Sequence, residues 1–246
     1  DAVELLSHEA MAAHGFPSDA FASCELALSV DSTNSVMMQK AESNTTDRHI
    51  CFAEMQTSGR GRRGRQWLSP FAKNLYFSVL WPFSQGIAAI QGLSLVVGLV
   101  VHKILKQHGI QAAGLKWPND IVLNNLKVGG ILVEKSENNI CIGMGINYFW
   151  EKPEIPGAGS VFTKKQEDSL INLHAEKWAS EVLSSLSKNN FDLTKYKQKL
   201  QTLGKIVEYP EGRGWAEDIN EDGSLKIKST DGDYINLTSP LISEVN

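Results

Sequence analysis

Four short apolar segments between residues 115 and 146 restrict the fold of this chain more than any other feature. They cover 115–117, 121–123, 130–134 and 140–146, and tight turns separate them. Apolar runs this short are typical of buried strands. One longer segment, 87–107, precedes them and places apolar residues at helical spacing, which indicates a core helix. Strands that follow a helix in series predict an α+β fold, with a mixed, mainly antiparallel sheet and helices packed on it.

The amino-terminal part of the chain predicts further elements of this sheet. Residues 25–30, 50–55 and 74–81 have the apolar or alternating patterns of strands. The run Asp31-Ser32-Thr33-Asn34 offers several helix N-cap residues, and we expect a helix from there to about residue 41. A short helix is also expected within residues 1–15.

The carboxy-terminal part predicts two helices and then a change of character. Segments 167–188 and 191–203 have amphipathic helical spacing. From Gly204 onward the chain alternates short strands with turn signals of the Asp-Gly and Glu-Gly type, which predicts a small β-barrel. We therefore expect three units: a linker segment at 1–23, a main domain at 24–203 and the barrel at 204–246.

Charge and cysteine usage exclude several classes of protein. The formal net charge is −4, so the molecule as a whole is not built to bind polyanions, and any basic site must be local. Cys24, Cys51 and Cys141 are widely separated, which fits a reducing compartment and argues against a zinc site or a disulfide framework. The longest apolar stretch, 87–101, is shorter than the roughly 20 residues that span a bilayer.

The most unusual local feature is the heptapeptide Gly59-Arg60-Gly61-Arg62-Arg63-Gly64-Arg65. Its arginines repel one another unless an anion lies among them, and its glycines allow the backbone to approach that anion closely. Charge-assisted arginine–phosphate contacts contribute about 1.5–3 kcal/mol each. A triphosphate clamp is one interpretation. A solvated basic loop and an arginine–glycine contact with nucleic acid are the others.

Familiar nucleotide motifs do not account for this loop. The heptapeptide matches the glycine pattern of dinucleotide-binding folds, but residues 65–70 are a poor helix start, and that motif must open a helix. No Gly-Lys-Ser/Thr follows, so it is not a Walker A loop. The sequence also lacks a G-x-S-x-G elbow, an H-E-x-x-H pair and an EF-hand loop.

Three further segments carry residues suited to binding, although each has an ordinary structural explanation. Lys116-Trp117-Pro118-Asn119-Asp120 crowds a lysine, an amide and a carboxylate into what is otherwise a plain turn. In 127–134 a lysine precedes two glycines at the start of an apolar strand, as a surface lysine beside a turn would. In 143–147 glycines alternate on a strand, which permits close approach of a ligand.

Taken together and in this order, these segments resemble the biotin–protein ligase family. The resemblance runs from about residue 24 to 246 and depends on 31–34, 54–70, 74–76, 116–120, 127–134 and 143–147. It is closest to the bacterial bifunctional ligase-repressors, whose amino-terminal winged helix-turn-helix domain is missing from this chain. Residues 5–10 resemble the linker that follows that domain. The resemblance implies a synthetase-like main domain and a small carboxy-terminal barrel.

The resemblance also implies a reaction and a set of site residues. Biotin and ATP would give biotinyl-5′-AMP and pyrophosphate, and biotin would pass to a lysine of a biotin carboxyl carrier protein in the cytoplasm. Lys127 and Arg62 would act on the reacting groups, and Asp120 would hold Mg²⁺. The implied biotin contacts are Ser32, Thr33, Asn34, Gln56, Gly59, Arg60, Gly61, Arg62, Lys127 and Gly130. The implied ATP or adenylate contacts are Arg62, Arg63, Arg65, Trp67, Lys116, Asn119, Asp120 and Asn147.

Other functions are weighed against this one. A lipoate or octanoate ligase of the same fold lacks the arginine loop. A catalytically inactive biotin-sensing regulator conflicts with the presence of Lys127 and Arg62. Specific DNA binding by this chain is not expected, because residues 1–30 show no helix-turn-helix pattern. A homodimer is expected through an edge strand such as 143–146.

Overall fold

The computed structural model describes residues 5–43, 45–83, 92–136, 138–150, 155–162, 169–188, 192–238 and 243–244. Seven strands of the described residues form the main sheet, in the order β1-β2-β3-β7-β6-β5-β4. Strands β1 and β2 are parallel, and every other neighbouring pair is antiparallel. Their bounds are Ser23–Ala27 (β1), His49–Ala53 (β2), Leu75–Pro82 (β3), Ala113–Lys116 (β4), Asp120–Leu123 (β5), Leu126–Ser136 (β6) and Asn139–Ile146 (β7). The predicted α+β fold with a mainly antiparallel mixed sheet is confirmed.

Five α-helices of the described residues accompany the sheet: His8–Ala13 (α1), Thr33–Ala41 (α2), Leu93–Gln107 (α3), Ser169–Lys188 (α4) and Leu193–Lys199 (α5). Side-chain caps start two of them. Ser7 accepts a hydrogen bond from the backbone N–H of Ala10, and Asp192 accepts one from that of Lys195. Helix α3 packs against β4, β5 and β6, and α4 packs against α3.

The two faces of the sheet have different coverings, and this places the site. On one face, side chains such as Phe77 and Ile142 join the main hydrophobic core beneath α3. On the other face, α2 packs on a small cluster that includes Cys141. Because side chains alternate along a strand, this second face also presents Ser78 and Gly143. Beyond α2 it is therefore lined by small residues, which leaves room above the sheet.

Two predicted helices differ from the sequence-based bounds. Of the expected helix at 87–107, the structure describes α3 from Leu93, and Ile87 and Ile90 lie outside the described residues. The expected helix at 191–203 is shorter, because α5 ends at Lys199. Leu200 is extended there, and the N–H of Gln201 donates to the carbonyl of Leu115 at 2.7 Å. A tertiary contact with β4 thus overrides the helical pattern.

The prediction that 143–146 forms an edge strand is wrong. This segment belongs to β7, which pairs with β3 on one side and with β6 on the other. Composition did not distinguish the two positions, because central and edge strands can be equally apolar. Among the described pairings, the open flanks are those of β1, β4 and the second half of β6, since β5 pairs with β6 only as far as Gly130.

The carboxy-terminal region forms a second antiparallel sheet in the order β11-β10-β9-β8-β12. Its strands are Ile206–Tyr209 (β8), Gly212–Ile219 (β9), Leu225–Ser229 (β10), Tyr234–Leu237 (β11) and Ser243–Glu244 (β12). Trp117, which follows β4, makes two hydrogen bonds of 3.0 Å at this end of the molecule: its backbone N–H donates to Thr202 Oγ1, just before the second sheet, and its indole N–H donates to the carbonyl of Gly223, between β9 and β10. The domain boundary near 203 stays a prediction.

The segment expected to be a linker contains structure in its described part, 5–23. Met11 of α1 is fully buried in the main core. The side chain of Asn172 on α4 accepts from the N–H of Ser7 at 2.8 Å and donates to the carbonyl of Leu5 at 3.2 Å. Residues 5–13 are therefore packed against α4. Among the helices that the structure describes, none is long and apolar enough to cross a membrane.

Candidate functional site

A cavity of about 180 Å³ opens on the second face of the sheet, beside α2 and beneath the arginine loop. It is defined by the meeting of four segments that are distant in sequence: the start of α2, the loop after β2, the turn before β5, and strands β6 and β7. Its lining residues are Ser32, Thr33, Asn34, Gln56, Arg60, Gly61, Arg62, Arg63, Arg65, Gln66, Trp67, Lys116, Trp117, Pro118, Asn119, Asp120, Lys127, Gly130, Ile131, Leu132, Gly143, Met144 and Gly145.

One end of the cavity has a floor of neutral polar side chains. Gln56 Oε1 accepts hydrogen bonds from the N–H of Thr33 at 2.9 Å and from its hydroxyl at 3.2 Å. The hydroxyl of Ser78, on β3, lies 2.7 Å from Thr33 Oγ1 and 2.5 Å from Asn34 Oδ1. Thr33, Asn34 and Ser78 are all buried. Buried polar groups that already satisfy one another form a rigid surface, here one suited to a small polar head group.

Glu134 extends this floor toward the loop. Its Oε2 accepts from Asn34 Nδ2 at 2.8 Å, and its Oε1 forms an ion pair with Arg60 Nη2. Arg60 Nη1 also lies 3.4 Å from the hydroxyl of Ser35. The hydrogen-bonded chain thus runs continuously from Gln56 to the first arginine of the loop.

The arginine loop is folded into a closed turn. The N–H of Trp67 donates to the carbonyl of Gly59 at 2.8 Å, and the N–H of Gly61 donates to the carbonyl of Arg65 at 2.7 Å. A single turn of 3₁₀ helix lies between them, and Arg63 there has a φ of 59°. Gly59 is required at its position, because a Cβ would lie 2.3 Å from the carbonyl oxygen of Trp67.

Arg62 lines the first cavity and is held there by one side-chain hydrogen bond. Its Nη1 donates to Asn119 Oδ1 at 3.2 Å, and Asn119 is anchored in turn by its Nδ2, which donates to the carbonyl of Ile131 at 3.0 Å. Burial lowers the pKa of Arg62, and the neighbouring charge of Arg63 lowers it further, against the opposite effect of Asp120. An anion in the cavity would relieve this unfavourable arrangement.

Lys127, Asp120 and Trp67 form the far wall of the cavity. Lys127 Nζ lies 2.7 Å from Asp120 Oδ1 and 5.3 Å from the centre of the Trp67 ring. The indole lies flat over β6 and β7, where a Cβ on Gly145 would be 2.7 Å from it and one on Gly130 would be 3.0 Å away. These two glycines are therefore required for the placement of Trp67.

A second cavity, of about 190 Å³, lies on the other side of Trp67. Lys127, Trp150, Ile155 and Asn147 are among its lining residues. Asn147 Nδ2 donates to the carbonyl of Gly159 at 2.9 Å, whereas its buried Oδ1 has no hydrogen-bond partner among the described residues. That oxygen is positioned to accept a hydrogen bond from a ligand. Trp67 and Lys127 line both cavities, so they mark the boundary between them.

The structure brings nearly all of the predicted site residues to the first cavity. Asn147 lies at the second cavity instead, and Gly59 lines a third cavity of about 420 Å³ on the outer side of the loop. The glycines of β7 were expected to admit a ligand. In the structure, the space above Gly143 holds the side chain of Asn34, and the space above Gly145 holds the indole.

Sequence reasoning missed two residues of the site. Ser78 lies inside a strand of ordinary apolar pattern, so no local signal identified it. Glu134 ends a predicted strand, and its partner Asn34 is 100 residues away in sequence. Alternation along the strands, which places both side chains on the same face of the sheet as Gly143, was the only signal that could have found them.

Comparison with known proteins gives consistent results. Residues 26–147 match the model of the biotin/lipoate A/B protein ligase family. Over 163 residues the chain is 40% identical to the bifunctional ligase/repressor BirA of Escherichia coli (strain K12), covering 64% of this chain and 50% of that protein. Over 209 residues it is 29% identical to a biotin–acetyl-CoA-carboxylase ligase of Mycobacterium tuberculosis, covering 79% of each.

A solved structure extends the likeness to most of the chain. The biotin protein ligase from Aquifex aeolicus, in complex with biotin and ATP, superposes with a TM-score of 0.69 at 28% identity. The match covers 92% of this chain and 100% of that one. The chain spans about half the length of the first curated relatives that it matches. Residues 26–147 of this chain therefore form a biotin/lipoate A/B protein ligase domain, and the whole described fold resembles that of a biotin protein ligase.

Proposed function

We propose that this protein is a biotin–protein ligase, which activates biotin with ATP and transfers it to a lysine of an acceptor protein. The observation that carries the proposal is the order of groups along the first cavity. A neutral polar floor at Gln56 leads to the arginine loop and then to Lys127, beside Trp67 and the second cavity. A molecule with a polar head, a carboxylate tail and an attached adenylate has this same sequence of chemical requirements.

In the first step, the biotin carboxylate attacks the α-phosphorus of ATP and pyrophosphate leaves. The ureido head of biotin would bind at Thr33 and Gln56, whose hydrogen bonds satisfy its donors and acceptor. Lys127 and Arg62 would stabilise the negative charge that develops on the α-phosphate. Arg63, Arg65 and Lys116 line the same cavity and add positive charge for the remaining phosphates. The adenine would pass Trp67 into the second cavity, within reach of Asn147.

In the second step, the neutral amine of the acceptor lysine attacks the carbonyl of the mixed anhydride. An amide forms, the C–O bond to the phosphate breaks, and AMP leaves. No enzyme-bound intermediate is needed, so catalysis consists of positioning and charge stabilisation. The names of the relatives point to the biotin carboxyl carrier protein of acetyl-CoA carboxylase as the acceptor class.

Magnesium fits the residues at Asp120. Mg²⁺ is usually held by one or two carboxylates together with substrate phosphates and water, and Asp120 is a carboxylate in the cavity lining. Among the residues that the structure covers, no group of three or more His, Cys, Asp or Glu side chains could hold a metal ion on its own. The ion would therefore arrive with ATP and neutralise part of its triphosphate charge.

Two further features belong to this proposal. We propose a homodimer that pairs through an open flank of the main sheet. Of these flanks, the second half of β6 lies nearest to the arginine loop. The three cysteines, free in the structure, support action in a reducing compartment such as the cytoplasm. We also propose that a longer parent protein acts as a repressor, since the BirA relatives are named bifunctional ligase/repressors.

The decisive experiment supplies the purified protein with biotin, MgATP and a biotin carboxyl carrier domain. We expect pyrophosphate release and a mass increase on the acceptor lysine, and an acceptor carrying arginine at that lysine is the control. Lipoate and octanoate are offered in parallel. Pyrophosphate release only with those acids would assign the other branch of the family, and release with none of the three would refute the ligase function.

A further inference from the structure

Glu134 lines the third cavity, on the outer side of the arginine loop, and the proposed reaction does not explain its position. Its side chain is 21% exposed, and it lines neither of the two cavities assigned to the phosphates and the adenine. A partly buried carboxylate beside an anion-binding loop repels the anion, so its presence there calls for another role. Both of its oxygens are already engaged, one by Asn34 and one by Arg60.

These two partners belong to opposite ends of the site. Asn34 belongs to the polar floor, and Arg60 is the first arginine of the loop. The polar chain that connects the ends consists of six side chains in contact order: Gln56, Thr33, Ser78, Asn34, Glu134 and Arg60. Glu134 is the one ionised acceptor in this chain. Hydrogen bonds in such a network polarise one another, so a change at one end affects the other.

The ion pair also compensates part of the positive charge of the arginine loop. Four arginines lie within six residues, and only Arg60 among them pairs with a carboxylate in the described structure. Since Arg60 Nη2 contacts Glu134 on β6, the pair holds the start of the loop down on the sheet. Without this pair, the loop would have one more uncompensated charge and one fewer anchor.

We propose that Glu134 is a positioning residue: it places the arginine loop through Arg60 and, through Asn34, makes that placement depend on occupation of the polar floor. A head group bound at Gln56 and Thr33 would fix Asn34 and Glu134, and Arg60 would then be held more firmly. This coupling rests on the proposed function, whereas the tether of the loop in the free protein does not.

Glu134→Gln is the informative variant. The glutamine amide keeps the size of the side chain and an oxygen that can accept from Asn34, but it removes the charge that holds Arg60. The matched control is Glu181→Gln, which removes a carboxylate that pairs with Lys103 at 2.9 Å on the surface of α4. The variant Arg60→Gln and the double variant complete a cycle.

Hydrogen–deuterium exchange of the backbone amides at 59–67 measures the tether directly. In the ligand-free protein, Glu134→Gln should speed exchange about tenfold, as expected for loss of one charge-assisted hydrogen bond. The control should show the parent rate, and the double variant should match Arg60→Gln alone. Parent-like exchange in Glu134→Gln would overturn the proposal, as would single effects that simply multiply in the double variant.

Biotin without ATP tests the coupling. Biotin should slow exchange of the loop in the parent and in Glu181→Gln, and the slowing should be lost in Glu134→Gln while the melting temperature stays within a few degrees. Unchanged slowing would overturn the coupling. If biotin does not bind the parent at all, the proposed function and the coupling both fail, and the ligand-free exchange still decides the tether.

Discussion

Lys127 Nζ and Asp120 Oδ1 lie 2.7 Å apart across the hairpin of β5 and β6, and Lys127 Nζ lies over the Trp67 ring, 5.3 Å from its centre. A lysine at a boundary between two cavities can reach a group that spans them both. Its pairing with Asp120 holds it in place until phosphate arrives. These facts make Lys127 the residue whose removal should affect the first chemical step most.

Lys127→Ala should slow adenylate formation by about 100-fold or more, because a donor aimed at developing charge contributes on that scale. Rapid-quench measurement of pyrophosphate release at saturating biotin and MgATP is the test. Lys226→Ala is a matched control, since Lys226 also lies over an aromatic ring, 4.1 Å from the centre of Tyr234, but on the carboxy-terminal sheet. Release at the parent rate in Lys127→Ala would exclude the assigned role.

Arg62→Ala should release biotinyl-adenylate about 10- to 100-fold faster, which corresponds to one lost charge-assisted contact. The fold should be nearly unaffected, because Arg62 bonds only to the side chain of Asn119 among the described hydrogen bonds. Release kinetics and melting temperature are measured together, with the exposed Arg213→Ala as the control. A large fall in melting temperature without faster release would show a structural role instead.

Substitutions at two glycines of β7 should distinguish the biotin end of the site from the nucleotide end. Gly145→Ala places a methyl group 2.7 Å from the Trp67 indole and should weaken ATP binding about tenfold, since overpacking costs about 1–3 kcal/mol. Gly143→Ala places one 1.8 Å from Asn34 Oδ1 and should weaken biotin binding by a similar factor. Calorimetric titration with each ligand alone distinguishes the two. Equal losses for both ligands in both variants would contradict this division.

Stability should fall as the pH decreases below about 6.5, because of His174. Burial, together with the neighbouring charges of His108 and Lys177, lowers the pKa of His174 to about 3. In the unfolded chain His174 therefore binds a proton below about pH 6.5. In the folded protein it stays neutral down to about pH 3. The contribution of neutral His174 to the free energy of unfolding is fully present above about pH 6.5. Below that pH the free energy of unfolding decreases by up to about 1.4 kcal/mol per pH unit.

The variant His174→Phe tests this dependence, since its neighbours Tyr148, Phe162 and Trp178 are also aromatic. Its melting temperature should change less between about pH 7.5 and 5 than that of the parent. The exposed His14→Gln is the control. A pH dependence identical in parent and His174→Phe would assign the effect to other groups, such as His108, whose pKa burial also lowers.

The local sequence pattern predicted the helices and strands of this fold well. It could not predict which strands pair with one another. Each strand from β1 to β7 was expected within a few residues, because apolar runs and turn residues lie close together in sequence. The order of strands was not accessible, and this is why β7 was taken for an edge. The site followed the same rule: the clustered residues at 59–67 and 116–120 were identified, whereas Ser78 and Glu134 depend on partners far along the chain.

The hydrogen bond from Trp117 to the carboxy-terminal region has a consequence for biosynthesis. Trp117 donates its indole N–H to a carbonyl 106 residues later, at Gly223. The turn that bears Lys116 and Asp120 is therefore translated long before the group that anchors it. A nascent chain that has reached residue 203 contains every residue assigned to the site, yet the indole N–H of Trp117 still lacks its acceptor. The nucleotide end of the site should reach its final form only when the carboxy-terminal sheet has left the ribosome.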